Sequence, residues 1–329
     1  MHAAPGDSMK RTILIGIFVL LAVSAAVVVA VVGIAYYAHE RSNLPGAYFD
    51  SNGVRIHYAV EGQGTPVILV HGLVADLGLN WVRPGIFHEL SRQYKVVAFD
   101  LRGHGLSDKP HDSARYGTEL VEDIVRLMDH LKIEKAHIVG YSMGGFIALK
   151  MAEMHPERML SVAPCGSGWS SDPDKELAFM RLLADSIDRG EGYGPLLERL
   201  QPVGRPVSAT RVWLVSAVLS FRNDSKALAA MLRSVDALRV DKAALKNNKL
   251  PALSIIGGRD PLKPFADQMC AVMANIKEVV VPEANHLSTI SRNETLLALE
   301  KFLAANGPVA ASATAGTASP GQVKLKDAA

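Results

Sequence analysis

This chain predicts a doubly wound α/β fold with a mostly parallel sheet, and two observations carry that expectation. From Pro66 onward, short apolar runs alternate with segments of helical period, the pattern of βαβ units rather than of a sandwich. Several of those runs end in loops bearing a polar residue, where open α/β sheets place their ligand sites. The 35 Lys and Arg nearly balance 33 Asp and Glu, with no clustered basic stripe, which argues against a nucleic-acid partner.

Taken in order, the first element lies outside that pattern. Residues 1–11 form a short flank, and Thr12 to Ala38 contains no charged residue. As a helix rising about 1.5 Å per residue, this stretch would span roughly 40 Å, more than the roughly 30 Å of a bilayer core. Lys10 and Arg11 precede it, and Tyr36 and Tyr37 sit at its far end, where interfacial aromatics belong. A single-pass signal anchor is therefore expected over 12–38, with the globular part outside the cytoplasm. A cleaved signal peptide is the rival, since Gly33-Ile34-Ala35 offers a small-x-small site, but an ordinary signal core is only about 7–15 residues long.

The globular part begins with Ala47 to Asp50 and Val54 to Glu61, which flank the hairpin signal Ser51-Asn52-Gly53. Strands follow at Pro66 to Val70, Tyr94 to Phe99, Ala136 to Val139 and Met159 to Pro164. Between them, Thr118 to Ile133 repeats Leu120, Ile124, Leu127, Met128 and Leu131 at helical spacing, and a helix runs from Gly145 to Ala152. About eighty residues then separate Cys165 from Ala252, too many for a loop. They carry helical patterns over Asp174 to Arg189, Tyr193 to Leu200, Ser208 to Phe221 and Lys226 to Leu238. Strands return at Ala252 to Ile256 and Val279 to Pro282, and an Asn-capped helix closes the domain from Asn293 to Asn306. Residues 307–329 are rich in Ala, Ser, Thr and Gly and read as a disordered tail. Cys165 and Cys270 leave the redox compartment open, and no metal-ligand spacing occurs.

The chemistry is concentrated in Gly140-Tyr141-Ser142-Met143-Gly144. A serine on a sharp strand-to-helix turn has its hydroxyl lifted clear of the sheet, and the flanking small residues relieve crowding. The same turn aims the Met143 N–H at the place where an oxyanion would form. A hydroxyl becomes a nucleophile only when an imidazole takes its proton, and the imidazole needs a carboxylate to hold its tautomer. Downstream, Gly257-Gly258-Arg259-Asp260 and Glu283-Ala284-Asn285-His286 each follow a strand and supply the carboxylate and the imidazole.

These motifs, together with His71-Gly72-Leu73-Val74 and Asp100-Leu101-Arg102-Gly103-His104-Gly105-Leu106-Ser107, resemble the α/β-hydrolase superfamily in its lipase, esterase and peroxidase-like branch. The resemblance spans Gly53 to Asn306, and Ser142, Asp260, His286 is the chain order it implies for the triad. It assigns the second oxyanion donor to the Leu73 N–H and mostly structural parts to His71 and His104. Asp172 and Asp174 rival Asp260, because some relatives carry the acid after the strand before the insertion; Glu283 reads as a solvated loop charge. A serine at 142 argues against the dehalogenase and epoxide-hydrolase branches, which use aspartate there.

The resemblance also makes 167–248 a helical cap between core segments 39–166 and 249–306. Trp169, Phe179, Met180, Leu183, Trp213, Leu214 and Phe221 are expected to form its apolar underside. The function implied is a membrane-anchored hydrolase of carboxylic esters, lipophilic ones favoured, with no cofactor and no metal. Its partners would be the membrane and a small-molecule or lipid ester, with oligomeric state left open. Carbon–carbon bond hydrolysis, peracid formation and a non-catalytic ligand receptor are the alternatives.

Overall fold

The computed structural model describes residues 11–19, 22, 33, 44–201 and 206–307. Eight strands form one sheet in the order β1-β2-β4-β3-β5-β6-β7-β8. They are β1 (Ala47–Asp50), β2 (Arg55–Glu61), β3 (Pro66–Val70), β4 (Lys95–Phe99), β5 (Ala136–Tyr141), β6 (Met159–Cys165), β7 (Ala252–Gly257) and β8 (Ile276–Val281). The β1–β2 and β2–β4 pairs are antiparallel and the other five are parallel. The mostly parallel expectation therefore holds, with the hairpin at one edge.

The central strands are apolar on both faces because helices cover both. Along β3, Val67 and Leu69 pack on one side, Ile68 and Val70 on the other. The first side is covered by α1 (Ile86–Ser91) and by the closing helix α10 (Asn293–Asn306). The second is covered by α2 (Glu119–His130) and α3 (Met143–Met154), and its cluster extends into the helices that follow β6. In α2, Leu120, Ile124, Leu127 and Met128 are buried, as their spacing predicts, Val121 joins them, and Leu131, just past the helix end, is half-buried.

Between β6 and β7 the chain forms α4 (Pro173–Asp188), α5 (Gly194–Arg199), α6 (Ala209–Arg222), α7 (Ser225–Ser234) and α8 (Lys242–Asn247); α9 (Lys263–Val272) follows β7. This insertion is tied to the sheet loops by polar bonds. Gly117 N–H donates to Ser234 Oγ (3.0 Å), Trp169 Nε1–H to the Val240 carbonyl (2.9 Å), and Arg222 Nη2 to Asp76 Oδ2 (2.7 Å).

Several expectations need correction. Leu183 is fully buried and Trp169, Phe179 and Met180 pack against the core, but Trp213 and Phe221 are 63% and 68% exposed and Leu214 also faces solvent. The α6 helix has no buried residue at all. Strand β8 starts at Ile276 rather than Val279, because at a sheet edge Lys277 and Glu278 can face water without breaking the ladder. Asn293 is the first helical residue of α10, and no side chain caps that end.

Residues 11–19 are helical, but most of the expected span 12–38 lies outside the described residues. Among the described residues no helix is long and apolar enough to cross a membrane. The expected tail also lies outside them, apart from Gly307.

Candidate active site

The loops at the carboxyl ends of β3, β5, β7 and β8 gather around Ser142. Its backbone has φ 54° and ψ −117°, a conformation that side-chain-bearing residues seldom adopt. Such geometry costs about 1–3 kcal/mol and persists only when its surroundings enforce it. Here the enforcement is steric. A Cβ at Gly140 would lie 2.0 Å from the Gly144 carbonyl oxygen, and one at Gly144 would lie 2.1 Å from the Val70 oxygen. Glycine alone permits β5, α3 and β3 to approach this closely.

His286 Nε2 lies 3.0 Å from Ser142 Oγ, and His286 Nδ1 lies 2.9 Å from Asp260 Oδ2. With its proton on Nδ1, the imidazole donates to the carboxylate and leaves Nε2 to accept from the serine hydroxyl. Asp260 Oδ1 also accepts from Leu262 N–H at 2.9 Å, which fixes the carboxylate plane. Asp260 and His286 are both buried, whereas Ser142 keeps partial access to solvent. The three expected residues are thus brought together.

The rivals point elsewhere. Asp172 caps α4 by accepting from Lys175 N–H, and Asp174 pairs with Arg239 in solvent. Glu283 pairs with Arg259 on the surface.

Met143 opens α3, and a first-turn N–H has no partner within its helix. The loop carrying Leu73 runs beside the serine: a Cβ at Gly72 would lie 3.1 Å from Ser142 Cβ. The Gly72 N–H is held by Asn80 Oδ1 at 2.7 Å, which sets the direction of the backbone entering Leu73.

Other restraints lie one layer deeper, and sequence reasoning missed them. The Tyr141 hydroxyl donates to the His286 carbonyl oxygen. Burial, then the nearby Asp260, pushes that phenol well above its ordinary range, so it stays a donor. Asp100 accepts from Leu77 N–H, from Leu106 N–H and from His57 Nδ1, each at 2.9 Å. Burial would raise its carboxyl, but those bonds and His71 hold it below the usual range.

His71 donates from Nδ1 to the Gly72 carbonyl (2.8 Å) and accepts at Nε2 from Leu101 N–H (2.9 Å), tying the loop after β3 to the loop after β4. Burial lowers its pKa, and burial together with His71 drops its neighbour His104 to about 3. Neither ring reaches Ser142 through a hydrogen bond. Both cysteines are free, and burial raises Cys165 to about 12 and Cys270 to about 11. Among the described residues no cluster of His, Cys, Asp or Glu is arranged to hold a metal ion.

Residues 65–292 match the family model described as the alpha/beta hydrolase fold. The chain belongs to the α/β-hydrolase family. It is 31% identical over 234 residues to the dihydrolipoyllysine-residue acetyltransferase component of the acetoin cleaving system of Pseudomonas putida, covering 68% of this chain and 59% of that protein. It is 28% identical over 264 residues to the pimeloyl-[acyl-carrier protein] methyl ester esterase of Aliivibrio fischeri strain MJ11, covering 75% of this chain and 97% of that one. Among solved structures, the enol-lactonase from Burkholderia xenovorans LB400 superposes with a TM-score of 0.63 at 26% identity, over 78% of this chain and 100% of that one.

Proposed function

We propose that this α/β-hydrolase-family chain is a membrane-anchored serine hydrolase that cleaves carboxylic esters through an acyl-enzyme. The observation that carries the reading is the continuous hydrogen-bond path from Asp260 through His286 to Ser142 on a strained turn. Two of the similar proteins bear names that denote cleavage of ester bonds, the methyl ester esterase and the enol-lactonase.

In the mechanism, Ser142 Oγ attacks the ester carbonyl as its proton passes to His286 Nε2. Asp260 steadies the imidazolium, and the Leu73 and Met143 N–H groups receive the oxyanion. The imidazolium then protonates the departing alcohol. Water, deprotonated by the same imidazole, attacks the acyl group and frees the acid with Ser142 restored.

The helices of residues 167–248 would cap the cleft, with Trp169, Phe179 and Met180 packed against the core beneath them, and an apolar cap together with a membrane anchor favours a lipophilic acyl chain. The anchor at 12–38 would keep the enzyme at a membrane, with the catalytic domain outside the cytoplasm. A fluorophosphonate probe should label Ser142 in the native chain, and a p-nitrophenyl ester panel of rising acyl length should show activity toward the longer chains. Folded Ser142→Ala protein that hydrolyses esters at the native rate would overturn the mechanism. Turnover of vinylogous diketones in place of all esters would move the same triad to carbon–carbon hydrolysis.

A further inference from the structure

The α6 helix keeps Trp213, Leu214 and Phe221 in solvent. It is attached by Leu219, which packs against the core, and by two polar bonds: Ser216 Oγ accepts from Tyr193 N–H at 2.8 Å, and Arg222 holds Asp76. Trp213, Ala217 and Phe221 recur every four residues on one stripe, with Leu214 beside it, and all four are exposed. At about 1.5 Å per residue, that stripe is roughly 12 Å long. We propose that α6 lies on the bilayer surface, with Trp213, Leu214 and Phe221 in the headgroup region, and that this contact sets the site's mouth against the lipid.

Four features select a bilayer over other occupants. First, this inference rests on the anchor reading, and the uncharged stretch ends at Ala38, only nine residues before β1. Nine residues reach at most roughly 30 Å, so the domain cannot leave the surface far behind. Second, polar contacts lead from the end of α6 back to that strand. Asp224 meets His111 at 3.0 Å, Asp108 N–H donates to the Arg55 carbonyl at 2.9 Å, and the Arg55 guanidinium lies 4.7 Å from the ring of Tyr48 in β1.

Third, the segment from 199 to 223 carries Arg199, Arg205, Arg211 and Arg222 and no Asp or Glu. Arg199 and Arg222 are taken up by Glu176 and Asp76, and Arg211, exposed on α6, is placed to meet anionic headgroups. Fourth, the contact is continuous with the candidate site. Arg222 grips Asp76, three residues past Leu73, and Leu287, next to His286, is 70% exposed. A bilayer under α6 would therefore lie beside the loop that leads from Leu73 to Asp76.

The test uses the full chain with phosphatidylcholine–phosphatidylglycerol vesicles whose acyl chains carry bromine. The chain has three tryptophans: Trp81 is buried, Trp169 is partly buried, and Trp213 alone is strongly exposed. Brominated vesicles should quench the emission, and Trp213→Phe should lose most of that quenching while p-nitrophenyl acetate turnover stays unchanged.

A carbonate wash reports on the anchor separately. Protein that stays with the vesicles through the wash but shows no Trp213-dependent quenching overturns the inference and leaves the anchor standing. Protein released by the wash whose Trp213 is still quenched by added vesicles removes the anchor and sustains the contact. Trp213 unquenched by lipid but shielded from iodide in a sedimenting dimer assigns the stripe to a second copy and overturns the inference.

Discussion

The loops around Ser142 and the helix α6 are built on opposite rules. In the loops every polar group that matters has a second restraint. Asp260 is held by Leu262, the backbone of His286 by Tyr141, and the loop before Leu73 by Asn80. In α6 Ser216, Arg222 and Leu219 do the holding, and Trp213, Leu214 and Phe221 face outward. The next helix, α7, sharpens the contrast, because six of its residues, Ala227 to Leu232, are buried. Two consecutive helices thus differ in burial, one set into the protein core and the other presenting Trp213, Leu214 and Phe221 to solvent. Apolar content alone does not separate a core helix from a surface one; its attachments do.

If the loops carry the chemistry, damage there should dwarf anything done to the insertion. Ser142→Ala and His286→Ala should each lose about 10⁴–10⁶ in ester turnover, and the double variant little more, because residues acting as one unit are not additive. Steady-state rates on a p-nitrophenyl ester measure this. Asp260→Asn should cost on the order of 10⁴ through the wrong tautomer, with Asp172→Asn and Asp174→Asn mild. The reverse ranking would move the acid to the loop after β6.

Within the insertion, the contrast is one of stability. Met231→Ala in α7 removes a fully buried side chain and should cost about 2–5 kcal/mol, whereas Phe221→Ala in α6 should stay within about 0.5 kcal/mol. Urea unfolding of the two variants checks both figures, and equal losses would erase the distinction between the helices.

Smaller effects refine the picture of the loops. Tyr141→Phe leaves the ring in place but strips a buried carbonyl of its donor, a loss of about 1–1.5 kcal/mol, or roughly tenfold in kcat. KM should barely move.

His104 gives a pH signature. Its folded pKa, about 3, lies below the ordinary histidine value of 6.5, so the unfolded chain binds more protons between those limits. Stability from this group is fully present above pH 6.5 and falls as pH drops toward 3. The urea midpoint of the native chain should therefore decline from pH 7 to pH 5, and His104→Gln should flatten that decline.

The fold was legible because long-range order here follows local pattern. The apolar run Pro66 to Val70 can only be a strand covered on both faces, and Leu120 to Leu131 can only be a helix with one buried stripe. Ser142, Asp260 and His286 were legible because each directly follows a strand. Their restraints were not. Tyr141 reaches a carbonyl 145 residues away, and Asp100 meets His57 across 43 residues, distances over which spacing carries no information. Nor could periodicity orient α6: it places Trp213 and Phe221 on one stripe without saying whether that stripe faces the core. The hidden start of β8 has the same origin, since charged residues at a sheet edge look like a loop.

The position of the insertion has a further consequence. It leaves after Cys165 and returns at Ala252, and β6 and β7, which it connects, are adjacent parallel strands, with Val162 opposite Ala252 and Cys165 opposite Ile255. Parallel neighbours need a crossover of some length in any case, and the sheet registers only that the chain comes back in step. The segment can therefore lengthen or shorten without changing a strand pairing, provided its anchors are kept: Arg222 on Asp76, and Leu183 and Leu228 in the core. Chemistry and clientele can then evolve on separate schedules: an unchanged reaction centre could be handed from one substrate to another by rewriting the stretches that lie between those anchors.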